Sequence, residues 1–61
     1  MTEKIYYIEN SLELATALLK IEILIPCFIE RNFIEMDYSK VVIIARNEDI
    51  VTVERFLAPL V

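Results

Sequence analysis

Cys27, Ser11 and Ser39 are the potential nucleophiles of this chain. Glu35 with Asp37, and Glu48 with Asp49, are its closest carboxylate pairs. A thiol or hydroxyl attacks only when a neighbouring base, usually histidine, takes its proton, and the chain contains no histidine. Cys27, between Pro26 and Phe28, therefore reads as an inert core or interface thiol. Ser11 reads as a helix-start residue and Ser39 as a loop residue. The carboxylate pairs carry oxygen ligands of the kind that hold divalent cations. Glu48 and Asp49, however, suit a helix start, and Glu35 and Asp37 suit a solvated loop. No catalytic residue, metal site or cofactor is expected, and the chain does not read as an enzyme.

The segment Arg31-Asn32-Phe33-Ile34-Glu35-Met36-Asp37-Tyr38 has a different chemistry. Arg, Phe, Met and Tyr are enriched where proteins meet. Arg31, Phe33, Ile34, Met36 and Tyr38, joined by Tyr7, are the candidate partner-binding residues. The competing role for Phe33, Ile34 and Met36 is closure of the open end of the core. Tyr6, Tyr7 and Tyr38 each combine a ring with a polar tip suited to contacts, and ordinary packing is expected for at least two of them.

These residues must be positioned by a chain of 61 residues with net charge −4. That length allows one domain, residues 1–61, which buries only about 60% of the surface its unfolded form exposes. A lone cysteine forms no internal disulfide, and without histidine it has no partner for a zinc site. The remaining resource is apolar packing, and 57% of the residues are hydrophobic. The cations Lys4, Lys20, Arg31, Lys40, Arg46 and Arg55 are scattered, which argues against nucleic acid as a partner. The apolar stretch Ile23 to Ile29 is far short of the ~20 residues of a membrane span, so no membrane contact is expected. Met1-Thr2-Glu3-Lys4 leads straight into a strand-like run, so no secretory signal is expected and the cytoplasm is the default compartment. Glycine is absent, which excludes the glycine-rich phosphate loops. Turns that need a left-handed residue would fall to Asn10, Asn32, Asn47 or Asp37.

Lys4 to Ile8, rich in β-branched and aromatic residues, predicts a strand. Asn10 with Glu13 fits a capping box, with Ser11 as the alternative cap. A helix from Ser11 to about Glu22 follows, with Leu12, Leu14, Ala15, Leu18, Leu19 and Glu22 at helical spacing. Pro26 ends it, and a strand of roughly residues 25–30 begins. Residues 30–39 read either as a strand extension in a long hairpin or as a loop. Val41 to Ala45 is apolar throughout, as a strand reads when covered on both faces. Asn47 caps a second helix whose stripe is Ile50, Val53, Leu57 and Leu60. The prediction is a compact α+β unit, βαββα, with a three-stranded antiparallel-type sheet and two helices on one face. Two helices cover only one sheet face. A second copy or another protein must then cover the other, first by sheet-to-sheet dimerisation and next by edge-to-edge strand addition.

The opening strand Lys4-Ile5-Tyr6, the helix Leu12-Glu13-Leu14-Ala15 with Leu18-Leu19 and Glu22, Ile25-Pro26, and the closing Val41 to Ala45 with Asn47-Glu48-Asp49 resemble a known family. It is a family of small bacterial signal-transducing domains of ferredoxin-like or PII-like βαββα arrangement. The resemblance covers most of the chain through core positions and caps, and it implies a ferredoxin-like half without catalytic residues. The family usually carries a glycine before the Ile-Pro pair, and Leu24 stands there instead.

Together these readings point to a non-enzymatic protein-binding or regulatory module, homodimeric, acting through an apolar sheet face or the 31–38 segment. The alternative is a small acidic inhibitor, encoded by a phage or mobile element, that blocks a host enzyme. A third class, a PII-like ligand sensor, is disfavoured because phosphate ligands have few cations and no glycine loop to hold them.

Overall fold

The computed structural model describes all 61 residues. They form β1 (Thr2–Glu9), α1 (Leu12–Leu24), β2 (Cys27–Glu35), β3 (Tyr38–Ala45) and α2 (Ile50–Leu57), with 3-10 turns at Asn47–Asp49 and Ala58–Leu60. The sheet has the order β1-β3-β2, and both pairings are antiparallel. This is the expected βαββα arrangement of an α+β fold, with β3 in the centre and both helices against one face.

Ser11, rather than Asn10, caps α1: its hydroxyl accepts the Leu14 N–H at 3.0 Å. Asn10 is diverted because its side chain is engaged across the sheet, as described below. The helix outlasts its expected end at Glu22 and runs through Leu24. Ile25 is then extended, as a residue before proline prefers. With that extended exit, no left-handed residue is needed at Leu24 or Ile25 to leave the helix. No residue anywhere has positive φ, so the asparagines and Asp37 are not needed as left-handed turn residues.

The long-hairpin reading of residues 30–39 is the one realised. β2 does not stop near residue 30 but continues to Glu35, and β3 starts at Tyr38. Ile34 bulges between the pairs Phe33–Ser39 and Glu35–Tyr38. A bulge adds local twist, which helps the Met36-Asp37 connection close without a left-handed residue. Ser39 is accordingly a strand residue, fully buried, and not part of a loop.

The core joins Tyr6, Ile8, Val41, Ile43 and Ala45 from the sheet to Leu14, Ala17 and Ile21 of α1 and Val53 and Leu57 of α2. The α2 stripe is as expected, with Ile50 and Leu60 packed beside it. The α1 face differs: Leu12 and Leu19 point to solvent, while Ala17 and Ile21 are buried. Apolar residues surround this helix on nearly every side, so spacing alone does not fix which side turns inward. Asn47 does not cap α2 with its side chain. It accepts a hydrogen bond from the Thr2 hydroxyl, and the backbone closes the turn through Asp49 N–H to Arg46 C=O at 2.9 Å.

Candidate functional site

Strand alternation divides the sheet cleanly. Tyr6, Ile8, Cys27, Ile29, Arg31, Ser39, Val41, Ile43 and Ala45 lie on the helix-covered face. One residue out of step, the register aligns Glu3–Ile44–Phe28, Ile5–Val42–Glu30, Tyr7–Lys40–Asn32 and Glu9–Tyr38–Glu35 across the other face. No element of the chain covers that face. Tyr7 is 57% exposed and Phe28 65%, whereas Val42 and Ile44 on the central strand are half-buried by their neighbours. The face therefore has an apolar middle (Ile5, Tyr7, Phe28, Val42, Ile44) and a rim of Glu3, Glu9, Glu30 and Glu35, with Lys40 as its one cation. The total surface, 4105 Å², is about what a compact monomer of this mass exposes. That surface includes fourteen large hydrophobic side chains that are exposed.

The hairpin end is the second exposed region. Phe33, Ile34 and Tyr38 are exposed, and Met36 is 93% exposed. None of them closes the core, so the competing packing role fails for the segment. Tyr38 and Tyr7 are likewise exposed and only Tyr6 is buried, against the expectation that two tyrosines would pack. The hairpin ends level with β1, because the Asn10 N–H donates to the Asp37 carbonyl, so its exposure is that of its side chains.

Arg31 belongs to a different group from its neighbours in sequence. Its Nε donates to the Ser39 hydroxyl at 3.2 Å and its Nη2 to Asn10 Oδ1 at 3.0 Å. The Ser39 hydroxyl also donates to Asn10 Oδ1, and Asn10 Nδ2 donates to the Met36 carbonyl at 3.3 Å. This cluster ties the β1–α1 corner to the hairpin and leaves the buried Ser39 satisfied. The guanidinium lies 4.7 Å from the Phe33 ring centroid, a cation–π distance that orients the ring.

At the opposite side of the helix layer, the Tyr6 hydroxyl donates to Glu54 at 2.7 Å, and Lys4 Nζ lies 2.9 Å from the same carboxylate. The hydrogen bond from Lys4 and that from Tyr6 hold Glu54 below the usual carboxylate range. Burial, then the Glu54 contact, pushes Tyr6 well above its ordinary value. Burial also raises the Cys27 thiol, helped by Glu22 and Asp49, so the unreactive protonated form is favoured.

Of the sequence candidates, Phe33, Ile34, Met36 and Tyr38 cluster at the hairpin arm, Tyr7 lies on the open face, and Arg31 points toward the helix side. Ile5, Phe28, Val42 and Ile44 were not among those candidates. Their signal was the apolar run of β3 itself, whose alternate residues have to face something. No family model, curated protein or solved structure matches the chain. No helix is long and apolar enough to cross a membrane.

Proposed function

We propose that the chain is a non-enzymatic protein-binding module with a regulatory role, working as a homodimer and docking a partner on its open sheet face. The observation that carries this reading is the uncovered side of β3. A strand apolar on both sides has one side buried and the other presented to solvent beside Ile5, Tyr7 and Phe28. Contiguous apolar surface rimmed by polar groups is the usual mark of a contact site. The exposed hairpin end with Phe33, Ile34, Met36 and Tyr38 provides the second contact element. A lone half-buried thiol suits the reducing cytoplasm.

The rim decides what fits. Glu3, Glu9, Glu30 and Glu35 against Lys40 make the face acidic, so two copies stacked face to face would set carboxylates against carboxylates. A partner with an apolar centre and a basic rim complements it. The same rim favours a second reading, an inhibitor that occupies the basic cleft of a host enzyme.

The test compares variants in a pull-down from the native cytoplasm. Phe28→Asp, on the open face, is expected to lose the captured protein while keeping the wild-type circular dichroism spectrum. Leu12→Asp, on the outside of α1, is expected to keep it. Equal capture by wild type and Phe28→Asp would remove the open face from the account.

A further inference from the structure

The sheet has two edges, and they are built differently. The β2 edge is blunted in the ways that natural sheets resist unwanted pairing. Pro26 precedes it, Ile34 bulges within it, and the polar run Glu30-Arg31-Asn32 occupies its middle. The β1 edge has neither proline nor bulge, and its charges, Glu3, Lys4 and Glu9, lie toward its two ends. It is eight residues long, pairs with β3 in unbroken register, and contains the run Ile5-Tyr6-Tyr7-Ile8.

The outward backbone groups of β1 can be identified. The Asn10 N–H donates to the Asp37 carbonyl at 2.6 Å, continuing the β1–β3 register by one pair. In an antiparallel ladder the bonded residues alternate. The even residues of β1 thus bond inward to β3, and Glu3, Ile5, Tyr7 and Glu9 turn their N–H and C=O groups away from the sheet.

We propose that a second copy of this chain pairs antiparallel along this edge, joining two three-stranded sheets into one of six strands about a two-fold axis at Ile5. Residues opposite each other share a face, so only registers that pair odd with odd keep both helix layers on one side. An axis at Tyr6 would place Glu3 opposite Glu9 of the second copy, a like-charge pair. An axis at Tyr7 would shorten the overlap and set Ile5 against Glu9. The axis at Ile5 uses the whole strand. It sets Ile5 against Ile5, Glu3 against Tyr7, and Lys4 against Tyr6 of the second copy, whose hydroxyl holds Glu54. Full strand overlap and the absence of a like-charge pair therefore select the register. The pairing extends the open-face reading without depending on it: the two acidic faces become neighbours in one continuous surface instead of stacking. A single strand pair lies at the small end of specific interfaces, so the dimer dissociates on dilution.

Cross-linking of the full chain tests this, in a Cys27→Ser background to remove the native thiol. In the proposed register Ile5→Cys places two thiols on a directly opposed, hydrogen-bonded pair, about 5.5 Å between Cα atoms. That lies within disulfide reach. Ile5→Cys is expected to give covalent dimer on mild oxidation, whereas Tyr7→Cys, opposite Glu3, stays monomeric on a non-reducing gel. In the wild type, amide exchange at Ile5 and Tyr7 is expected to slow about tenfold between dilute and concentrated samples, while Tyr6 is protected in both. Concentration-independent exchange at Ile5 and Tyr7, or cross-linking of Ile5→Cys no faster than of Leu12→Cys, would overturn the edge pairing. Cross-linking through Tyr7→Cys instead of Ile5→Cys would overturn the register. The variant Phe28→Asp separates the two readings, because it is expected to keep this dimer while losing the partner.

Discussion

Val41, Ile43 and Ala45 on one side of β3 are sealed beneath the two helices, while Val42 and Ile44, one step out of phase on the same strand, are only half covered. The residue types are nearly identical, so intrinsic preference does not separate the two sides; the layer above does. On the closed side, apolar burial supports the fold. On the open side, the same chemistry is half covered and adds less to the fold. The largest expected effect breaks this contrast most directly. Ile43→Ala should cost about 2–5 kcal/mol, the usual range for a buried truncation. A chain of this size has a total stability of roughly 3–9 kcal/mol, so the variant should lose a large share of it. Ile44→Ala should cost about 1 kcal/mol or less, since the removed atoms are already partly wet. Urea titrations of both variants measure the difference, and equal losses would mean that the open face is part of the core in solution.

The second contrast lies within the 31–38 segment. Arg31 is bound inward, while Phe33 and its neighbours project. Arg31→Ala should lower stability by about 1.5–3 kcal/mol, because two charge-assisted hydrogen bonds are lost beside the buried Ser39 hydroxyl. Arg31→Lys should restore only part of that, since an ammonium cannot reproduce the two-pronged geometry. A loss below about half a kcal/mol for Arg31→Ala, the level of an ordinary surface change, would show that the cluster is not holding the corner.

How much of this was legible depended on whether a feature was local. β1, β3, the Pro26 stop and the α2 stripe follow from side-chain shape and spacing within a few residues, and so did the element order, whereas the second half of β2 stayed open between strand and loop. The uncovered sheet face followed from counting layers. The inward turn of Arg31 was not legible, because its partners Asn10 and Ser39 come from the β1–α1 corner and from β3. In sequence, Arg31 beside Phe33 looks the same whether it points in or out. The buried side of α1 was hidden for a related reason: Leu12, Leu18, Leu19, Ile21 and Ile23 make every side of the helix plausible. Ser39 read as loop because its burial depends on one asparagine far earlier in the chain.

A smaller effect sharpens the comparison between the two ends of β1, where Asn10 is neutral and the Lys4–Tyr6–Glu54 link is ionisable. Glu54 titrates below its ordinary value when folded, so its contribution is present above the usual glutamate range and is lost as pH falls through the lowered value. Tyr6 titrates above its ordinary value, so its contribution is present below tyrosine's usual 10.0 and is lost as pH rises beyond it. Thermal unfolding against pH should show a plateau with both limbs falling. Glu54→Gln should flatten the acid limb. An acid limb unchanged by that variant would place the sensitivity in other carboxylates.

The smallest expected effect on stability is at the hairpin arm, and its smallness is what makes it informative. Met36→Ser removes an almost fully exposed side chain from the Met36-Asp37 connection. The Asn10 contact there is to the Met36 backbone carbonyl, which the substitution leaves in place. The unfolding midpoint should therefore stay within about half a kcal/mol of wild type. Phe33→Ala should cost slightly more, through the lost stacking on Arg31. If the arm is a contact element, both variants should weaken partner capture by more than their stability changes explain, and Met36→Ser should show the cleaner separation. A midpoint shift as large as that of Arg31→Ala would instead mean that the exposed arm supports the fold, and the contrast between inward Arg31 and outward Met36 would fail.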